Sequence, residues 1–454
     1  MDVEANPVIH LVASRASAQQ DRMDGKNNDV EEAREVSQED APDHAEATFP
    51  GDRGEAAAWV VLAGSFLALF PSFGLMVSIG TLQDYWQYHQ LAGFSSRDIG
   101  WISGVFVYLA LALGICFGPI FDRYGPRIIM FVGSIAYIAA IFLLAECKLY
   151  WHFMLCLGLL AGPAAAALTT IALAVVSHWF KVKRGLASGV AMVGNSFGGV
   201  LIPLVLRHCL PRYGYAWSVR TLGFVFTACL IISNLLVRSR FPPSPDAKKA
   251  KIFSLDLFGS GSFTFLTLSV FGIEVVLFGS LGILPTYASL STDYPAATGF
   301  YLIAVMNGSS CFGRILPGFI SDYVGRFNTL LVMMVFTLIV ILVVWLPFGT
   351  SSLSALYAFT ALFGFGTGSW MAMVPATIAT LSGPHHFGRY FGTSYFVASL
   401  ATLVCIPISG ELVQSVGPRA LVGFICVMLF VSIGLFATSR WCLLERRWKW
   451  LAIV

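Results

Sequence analysis

Charged residues are scarce in this sequence. Asp, Glu, Lys and Arg make up 12% of the 454 residues, and hydrophobic residues make up 57%. In water-soluble domains about a quarter of the residues are charged. The formal net charge is only +3, so no strongly basic surface points to nucleic acid as a partner. The composition excludes an ordinary soluble domain and indicates that a lipid bilayer surrounds most of the chain.

Aromatic residues are absent from the beginning of the chain, where the first is Phe49. About half of the 25 acidic residues also lie in the first 52 positions. A segment with so little apolar surface cannot offset the entropy lost on ordering. We therefore predict that residues 1–52 form a disordered cytoplasmic tail. No apolar segment typical of a signal peptide lies near Met1, so the first apolar helix is expected to direct insertion into the membrane.

Motifs for metal, nucleotide or enzymatic chemistry are also missing. The nine cysteines occur singly without a CxxC pair, and the histidines show no ligand spacing, so we predict neither a metal site nor a cofactor. The glycine-rich runs lack the Gly-Lys-Ser or Gly-Lys-Thr of a nucleotide-binding loop. No cluster of His, Asp or Ser suggests catalysis. We therefore expect a protein that is not an enzyme and does not bind ATP.

Long apolar runs dominate the rest of the sequence. A helix needs about 20 mostly apolar residues to cross a bilayer. This criterion predicts spans at 59–81, 99–119, 127–145, 151–176, 186–206, 219–237, 262–288, 299–320, 328–347, 354–380, 391–413 and 418–438. We predict an all-α integral membrane protein in which twelve transmembrane helices form two six-helix bundles, 53–237 and 259–440. A polar cytoplasmic linker, 238–258, joins the bundles, and a cytoplasmic tail follows at 441–454.

The distribution of Lys and Arg predicts the orientation of the helices. Most of these residues lie in the loops on the side of the two termini. The opposite loops hold Arg97, Lys148, Arg207, Arg212, Arg220 and Arg419. Because cytoplasmic loops carry the excess of Lys and Arg, both termini are predicted to be cytoplasmic. We favour the plasma membrane, with a vacuolar or other organelle membrane as alternatives.

A repeated segment supports the division into two halves. GPIFDRYGPR at 118–127 and GFISDYVGRF at 318–327 each end the second predicted span of a half. Duplicated halves are a common construction of membrane carriers. Glycine permits close helix approach and a tight turn, and Asp at a helix end can accept hydrogen bonds or pair with Arg. The recurring positions are Gly118, Asp122 and Gly125, matched by Gly318, Asp322 and Gly325.

This motif resembles the loop signature of the major facilitator superfamily, G-x-x-x-D-R-x-G-x-R. The first copy also supplies Arg123 and Arg127, whereas the second keeps Arg326 and has Tyr323 in place of Arg123. The resemblance implies the major facilitator fold. It also implies that both loops act as a gate between inward-open and outward-open states.

A narrower resemblance is to the monocarboxylate porter family, particularly its fungal branch. Asp52, Gly54 and Trp59 loosely match that family's signature before helix 1, and NGSSCFGRILPGFISDYVGRFN at 307–328 is similar to its helix 8 and adjoining loop. Mammalian lactate carriers have a Lys in helix 1 and an Asp one turn before the helix 8 Arg. This chain has Val77 and Ser310 there, so only Arg314 of that charge set is present.

Arg314 is a candidate substrate-binding residue because ionisable groups at membrane depth usually face a cavity or a partner. Asn307 and Ser310 precede it by seven and four residues, which places all three on one helical face. A guanidinium offers paired donors to an organic anion. The alternatives are that Arg314 extends toward the cytoplasmic interface or pairs with Asp322.

Glu274 lies in the middle of the seventh predicted span, within SVFGIEVVLFG. A carboxyl group removed from water is easier to protonate, so Glu274 is a candidate for coupling transport to protons. The alternatives are a neutral glutamic acid that is hydrogen-bonded across a helix interface and a single substitution without functional consequence.

These observations predict a secondary active or facilitative transporter of a small organic solute, and a monocarboxylate or other organic anion is the preferred substrate class. Export of a secondary metabolite is one alternative, and a non-transporting nutrient sensor is another. The direction of transport stays open. The glycine-rich helices do not select an oligomeric state, because they serve contacts within one chain as well as between chains.

Overall fold

The regular structure in the described part of the chain is helical. The computed structural model describes residues 49–241, 255–289, 298–349, 351–383 and 386–445, and no strand occurs among them. We number the helices α1 (Ala56–Tyr88), α2 (Ser96–Ala112 and Gly114–Tyr124), α3 (Arg127–Leu144), α4 (Tyr150–Trp179), α5 (184–213), α6 (215–236), α7 (Gly261–Ser289), α8 (Thr298–Val324), α9 (Arg326–Phe348), α10 (Leu353–Ser382), α11 (Phe387–Ser415) and α12 (Pro418–Leu443). A 3₁₀ turn, Leu255–Gly259, precedes α7.

Each predicted span overlaps one of these helical segments. Eight helices in the described residues are long and apolar enough to cross a membrane, with α5 and α6 counted together as Arg184–Leu236. The all-helical membrane architecture is therefore confirmed, whereas the number of crossings remains a prediction. The largest boundary differences are at the ends of α1, which continues to Tyr88 instead of residue 81, and of α5, which continues to residue 213 instead of residue 206.

Local sequence explains several helix ends. Ser95 and Asp98 form a reciprocal capping box at the start of α2, in which the Asp98 N–H donates to the Ser95 Oγ over 3.2 Å. The helices α5 and α6 are separated at Gly214, whose φ is 72°. Gly125 and Gly325 also have positive φ values, 77° and 100°. Because L side chains are strained in that region, these two glycines permit the tight turns after α2 and α8.

The predicted amino-terminal tail extends too far by four residues. Residues 1–48 lie outside the described part of the chain, but residues 49–52 are packed against the helices. The Phe49 side chain is buried, and the Asp52 carboxylate accepts hydrogen bonds from the backbone N–H groups of residues 181–183. The helix dipole makes the amino-terminal end of α5 positive, so a carboxylate is favourable there. This interaction explains why residues 49–52 are packed against the helices.

The predicted linker and carboxyl-terminal tail are described only in part. Residues 242–254 and 446–454 lie outside the described residues. At the start of the linker, the Arg238 carbonyl accepts from the Trp179 Nε1–H over 2.8 Å, and Ser239 bonds to His178 over 2.9 Å. These contacts attach the end of α6 to the end of α4. At the other boundary, α12 continues to Leu443, so the first residues of the predicted tail are helical.

The two sets of helices meet along two matching seams. In one, α2 packs on α11, and in the other α8 packs on α5. Glycine faces backbone at both: Gly118 lies against Gly388, and Gly318 lies against Gly185. A Cβ atom on any of these four would collide with the backbone of the facing helix. Small residues at these positions therefore allow the close helix approach that is typical of membrane bundles.

Candidate functional site

Asp122 connects the end of α2 to the beginning of α11. Its buried carboxylate accepts hydrogen bonds from the backbone N–H groups of Gly388, at 3.1 Å, and Arg389, at 2.9 Å. The first N–H groups of a helix have no partner within the helix, and the helix dipole favours an anion there. Asp122 thus caps a helix of the other half of the molecule.

Asp322 makes the equivalent contact in the second half. Its carboxylate accepts from the Gly185 N–H at 2.7 Å and the Leu186 N–H at 3.0 Å, at the beginning of α5. Each repeat therefore supplies an Asp from the end of its second helix to the start of the fifth helix of the other repeat. We call these four contacts the paired caps.

Two arginines add bonds across the same side of the molecule. Arg326 donates to the Lys181 carbonyl at 2.5 Å and to Thr380 at 3.1 Å. Arg184 is buried and donates to the Ala379 carbonyl at the end of α10 over 3.0 Å. Carbonyls at helix ends attract cations. The bonds to the Lys181 and Ala379 carbonyls hold the halves together at the predicted cytoplasmic side, whereas the bond to Thr380 lies within the carboxyl-terminal half.

The other two arginines of the motif lie outside this network. Arg123 is exposed and stacks over Tyr124, with its guanidinium carbon 5.1 Å from the ring centroid. Arg127 is exposed at the start of α3. Neither makes an ion pair with a described residue.

A second group of polar residues lies deeper, between the two halves. Arg314, Asn307 and Ser310 line one small cavity of about 20 Å³, so the structure brings the three predicted binding residues together. Apolar side chains of α1, α7 and α10 form most of the remaining wall, which includes Val77 and Phe278. The space is sufficient for about one water molecule. In this conformation the cavity is therefore closed around the polar groups.

The Arg314 guanidinium is buried, with 2% exposure, and none of its partners is a carboxylate. Nη1 donates to the Met192 carbonyl at 2.7 Å and to the Ser196 hydroxyl. Nη2 contacts the Met371 sulfur at 3.3 Å, a weak acceptor, and Nε has no hydrogen-bond partner. In the described residues, the edge formed by Nε and Nη2 therefore has no oxygen partner. Arg314 neither pairs with Asp322 nor reaches the cytoplasmic interface in this structure.

Hydroxyl groups continue the polar contacts away from Arg314. Ser196 and Ser310 lie 2.6 Å apart, and Ser310 donates to the Asn307 carbonyl at 2.7 Å. Because the Ser196 oxygen accepts from Arg314, its own proton is available for Ser310. The result is a directed series of hydrogen bonds from α8 through α5 and back to α8.

Glu274 lies on α7 one turn before Leu277 and Phe278, which line the Arg314 cavity. It is 3% exposed, and its Oε2 atom has no hydrogen-bond partner. The buried Tyr395 of α11 lies within electrostatic reach of Glu274. Tyr395 also lines a second small cavity, of about 10 Å³, between α11 and the amino-terminal half. Glu274 is therefore beside the central cavities but outside the predicted polar stripe.

Sequence reasoning did not identify the residues of α5 and α10 that contact Arg314. Met192 and Ser196 belong to the glycine-rich stretch 185–199, where small residues indicate helix packing. Met371 lies in an apolar run without a charge. A signal for the seam was present, because Gly185 and Gly189 recur as Gly388 and Gly392 at the start of the fifth helix of each half.

Comparisons with known proteins agree with this architecture. A family model described as the Major Facilitator Superfamily matches residues 61–398. The riboflavin transporter MCH5 of Saccharomyces cerevisiae is 34% identical over 398 residues, which cover 83% of this chain and 75% of the relative. The aspyridones efflux protein apdF of Emericella nidulans is 33% identical over 391 residues, or 86% of this chain and 77% of the relative.

A solved structure shows the same fold at low sequence identity. The human organic anion transporter MFSD10 (TETRAN) superposes with a TM-score of 0.68 and 14% identity, over 84% of this chain and 98% of that protein. A likeness at this level of identity supports the helical architecture and carries no information about the substrate.

Proposed function

The chain belongs to the Major Facilitator Superfamily, and from this premise we propose that it carries a small organic anion by alternating access at a site centred on Arg314. Major facilitator proteins are transporters, and this chain is a membrane transporter rather than an enzyme. Its substrate class and coupling are the subject of the proposal.

The proposal rests on the Nε–Nη2 edge of the Arg314 guanidinium, which has no oxygen partner among the described residues. Placing a charged group in the membrane interior is costly unless it has a partner or a function. Nε and Nη2 together present the two parallel donors that bind a carboxylate bidentately. Apolar walls beside this edge suit an anion that has a hydrophobic body. Asn307 and Ser310 would add polar contacts to the bound substrate.

We propose that the gate consists of the paired caps of Asp122 and Asp322 together with Arg326. Their bonds join the two halves on the side that carries the excess of Lys and Arg. Breaking them would let the halves separate there and would open the central cavities to the cytoplasm. The duplicated glycines Gly118 and Gly318 would allow the helices to meet again without a steric barrier.

Replacing Asp322 with Ala is expected to shift the transporter toward a form open on the cytoplasmic side. The change removes two charge-assisted hydrogen bonds, and a loss of about 1.4 kcal/mol changes the ratio of two states about tenfold. Spin labels at Val182 and Tyr323, which are exposed in opposite halves, would report the opening as a longer distance in pulsed electron resonance. The native cysteines are replaced beforehand.

Asp98→Ala is the matched control for this experiment. Asp98 also caps a helix, but at the opposite end of α2 and within one half. We expect its distance distribution to equal that of the parent protein. An unchanged distribution in Asp322→Ala would contradict the proposed gate.

The substrate class is tested by flux into vesicles that contain the purified protein. We expect uptake of labelled short-chain monocarboxylates or larger apolar carboxylates, and no uptake of neutral analogues in which an amide replaces the carboxylate. Equal uptake of acid and amide would contradict an anion site at Arg314. Absence of flux with every acid, in protein shown to be folded, would exclude this substrate class.

Export of a secondary metabolite is the second candidate function. The relative from Emericella nidulans is named as an efflux protein for aspyridones, and another from Gibberella fujikuroi is named as an efflux protein for fujikurins. The apolar walls of the cavity are compatible with such molecules. Vesicles in which the cytoplasmic side faces outward would then accumulate the metabolite, whereas vesicles of the opposite orientation would not.

A further inference from the structure

A groove on the outside of the amino-terminal half has features of a specific lipid site. It has a volume of about 670 Å³ and lies between α3 and the end of α6. Phe131 on α3 and Leu235 on α6 form part of its walls and are largely exposed. Since the chain is an integral membrane protein, these side chains face the bilayer or another membrane component.

Two arginines lie at one end of this groove. Arg127 begins α3, and Arg238 lies two residues after the end of α6. Both are exposed and neither pairs with a described carboxylate. Among the described residues, no Asp or Glu lines the groove. The end of the groove therefore attracts an anion, whereas most of its length is apolar.

One polar pair, Asn234 and Ser134, lies deep in the groove, and the hydrogen-bond donors of both side chains are engaged. Asn234 Nδ2 donates to Ser134 Oγ and to the Leu230 carbonyl, both at 2.7 Å. Ser134 donates in turn to the Met130 carbonyl at 2.7 Å. Because these donors are engaged, a hydrocarbon chain can lie over the pair without leaving a donor unpaired.

The length of the groove matches one leaflet of a bilayer. From Arg127 to Ile138 it follows α3 for about 16 Å at 1.5 Å per residue. Half of the hydrocarbon core is about 15 Å thick. A ligand with its charged group at the arginines would therefore extend its chain to about the middle of the bilayer.

We propose that this groove binds an anionic phospholipid, with the headgroup phosphate at Arg127 and Arg238 and an acyl chain along α3 and α6. The arginines lie on the side with the excess of Lys and Arg, where cytoplasmic leaflets supply anionic lipids. A second copy of the chain is a competing occupant. An uncompensated pair of arginines at the end of a concave groove favours the lipid, because a copy of the same face would bring further arginines toward them.

The proposal is tested by native mass spectrometry of the full chain in detergent. The probes are phosphatidylserine and phosphatidylcholine with identical acyl chains. We expect the protein to retain phosphatidylserine in preference to phosphatidylcholine. Arg238→Gln and Arg127→Gln should each weaken this retention about fivefold, as expected for one basic residue near an anionic headgroup.

Two further variants separate a specific site from general surface charge. Lys181→Gln removes an exposed cation on the same side but outside the groove, and it should retain phosphatidylserine like the parent protein. Ile231→Trp fills the groove without changing charge and should reduce retention. Equal binding of both lipids, or equal effects of Arg238→Gln and Lys181→Gln, would overturn the proposal. A dimer that is lost in Ile231→Trp would assign the groove to a second copy instead and would also overturn it.

Discussion

Replacing Arg314 with Met is expected to abolish transport of an organic anion while leaving the folded protein at least as stable as the parent. A desolvated charge pair between Arg314 and a substrate carboxylate is worth about 3 kcal/mol, so its loss should reduce flux about 100-fold. Vesicle uptake of the labelled acid measures the flux. Thermal unfolding in detergent measures the stability of the same preparation.

The expected stability follows from the surroundings of Arg314. Its guanidinium is buried without a carboxylate partner, and its Nε atom has no hydrogen-bond partner. Burying a charge without a charged partner is costly, so its replacement with an apolar side chain of similar length is expected to be neutral or stabilising. The surroundings already include a thioether, because the Met371 sulfur contacts Arg314 Nη2. On the proposed role, Arg314 would lower the stability of the protein while keeping its donors available to the substrate.

If Arg314 has only a structural role, the flux and the unfolding temperature should change in the opposite way. If its bonds to Met192 and Ser196 mainly hold α8 to α5, Arg314→Met would lower the unfolding temperature and reduce flux only in proportion to the folded protein. Arg440→Met is the matched control, because Arg440 is also buried but lies outside the central cavities and donates to Asn328. We expect this control to change stability without removing anion selectivity.

Replacing Glu274 with Gln is expected to remove the response of flux to a pH gradient. Charge on the buried Glu274 carboxylate is costly, because Oε2 has no partner. If Glu274 takes up and releases a proton during each transport cycle, the cost of its charged form is linked to the change between inward-open and outward-open states. One coupled proton supports about tenfold substrate accumulation per pH unit, since one unit is worth about 1.4 kcal/mol.

The measurement compares uptake with and without an imposed pH gradient in the same vesicles. The parent protein should show stimulation, whereas Glu274→Gln should show none and should still exchange labelled for unlabelled substrate. Glu411→Gln, which changes an exposed glutamate of α11, should behave like the parent. Stimulation that survives in Glu274→Gln would remove this residue from the coupling mechanism.

The repeat motif shows which part of the site is visible in the sequence. Gly118, Asp122 and Gly125 and their second copies were recognised because a duplicated pattern at matching positions is visible in one sequence. Their partners at the start of α5 and α11 are backbone N–H groups of Gly185, Leu186, Gly388 and Arg389. Every residue except proline has such a group, so no residue type signals which helix an Asp will cap.

The repeat also shows where the two halves differ. With Gly118 aligned to Gly318, the position of Arg314 corresponds to Gly114. Gly114 lies in the seam against Gly392, whereas the backbone of Arg314 lies against Gly189 and its side chain reaches Met192 and Ser196. The position that is a glycine in one repeat is an arginine in the other, which places a buried charge without a carboxylate partner in the carboxyl-terminal half.

The sequence by itself determined the membrane environment, the helical architecture and the position of Arg314 beside Asn307 and Ser310, and it predicted the division into halves. These properties depend on local composition and on the spacing of residues along one helix. The tertiary structure alone decided which guanidinium donors have partners, that Glu274 lies near Tyr395, and which helices the paired caps join. These properties depend on contacts between segments far apart in the chain, where close packing and backbone groups leave no pattern in the residues.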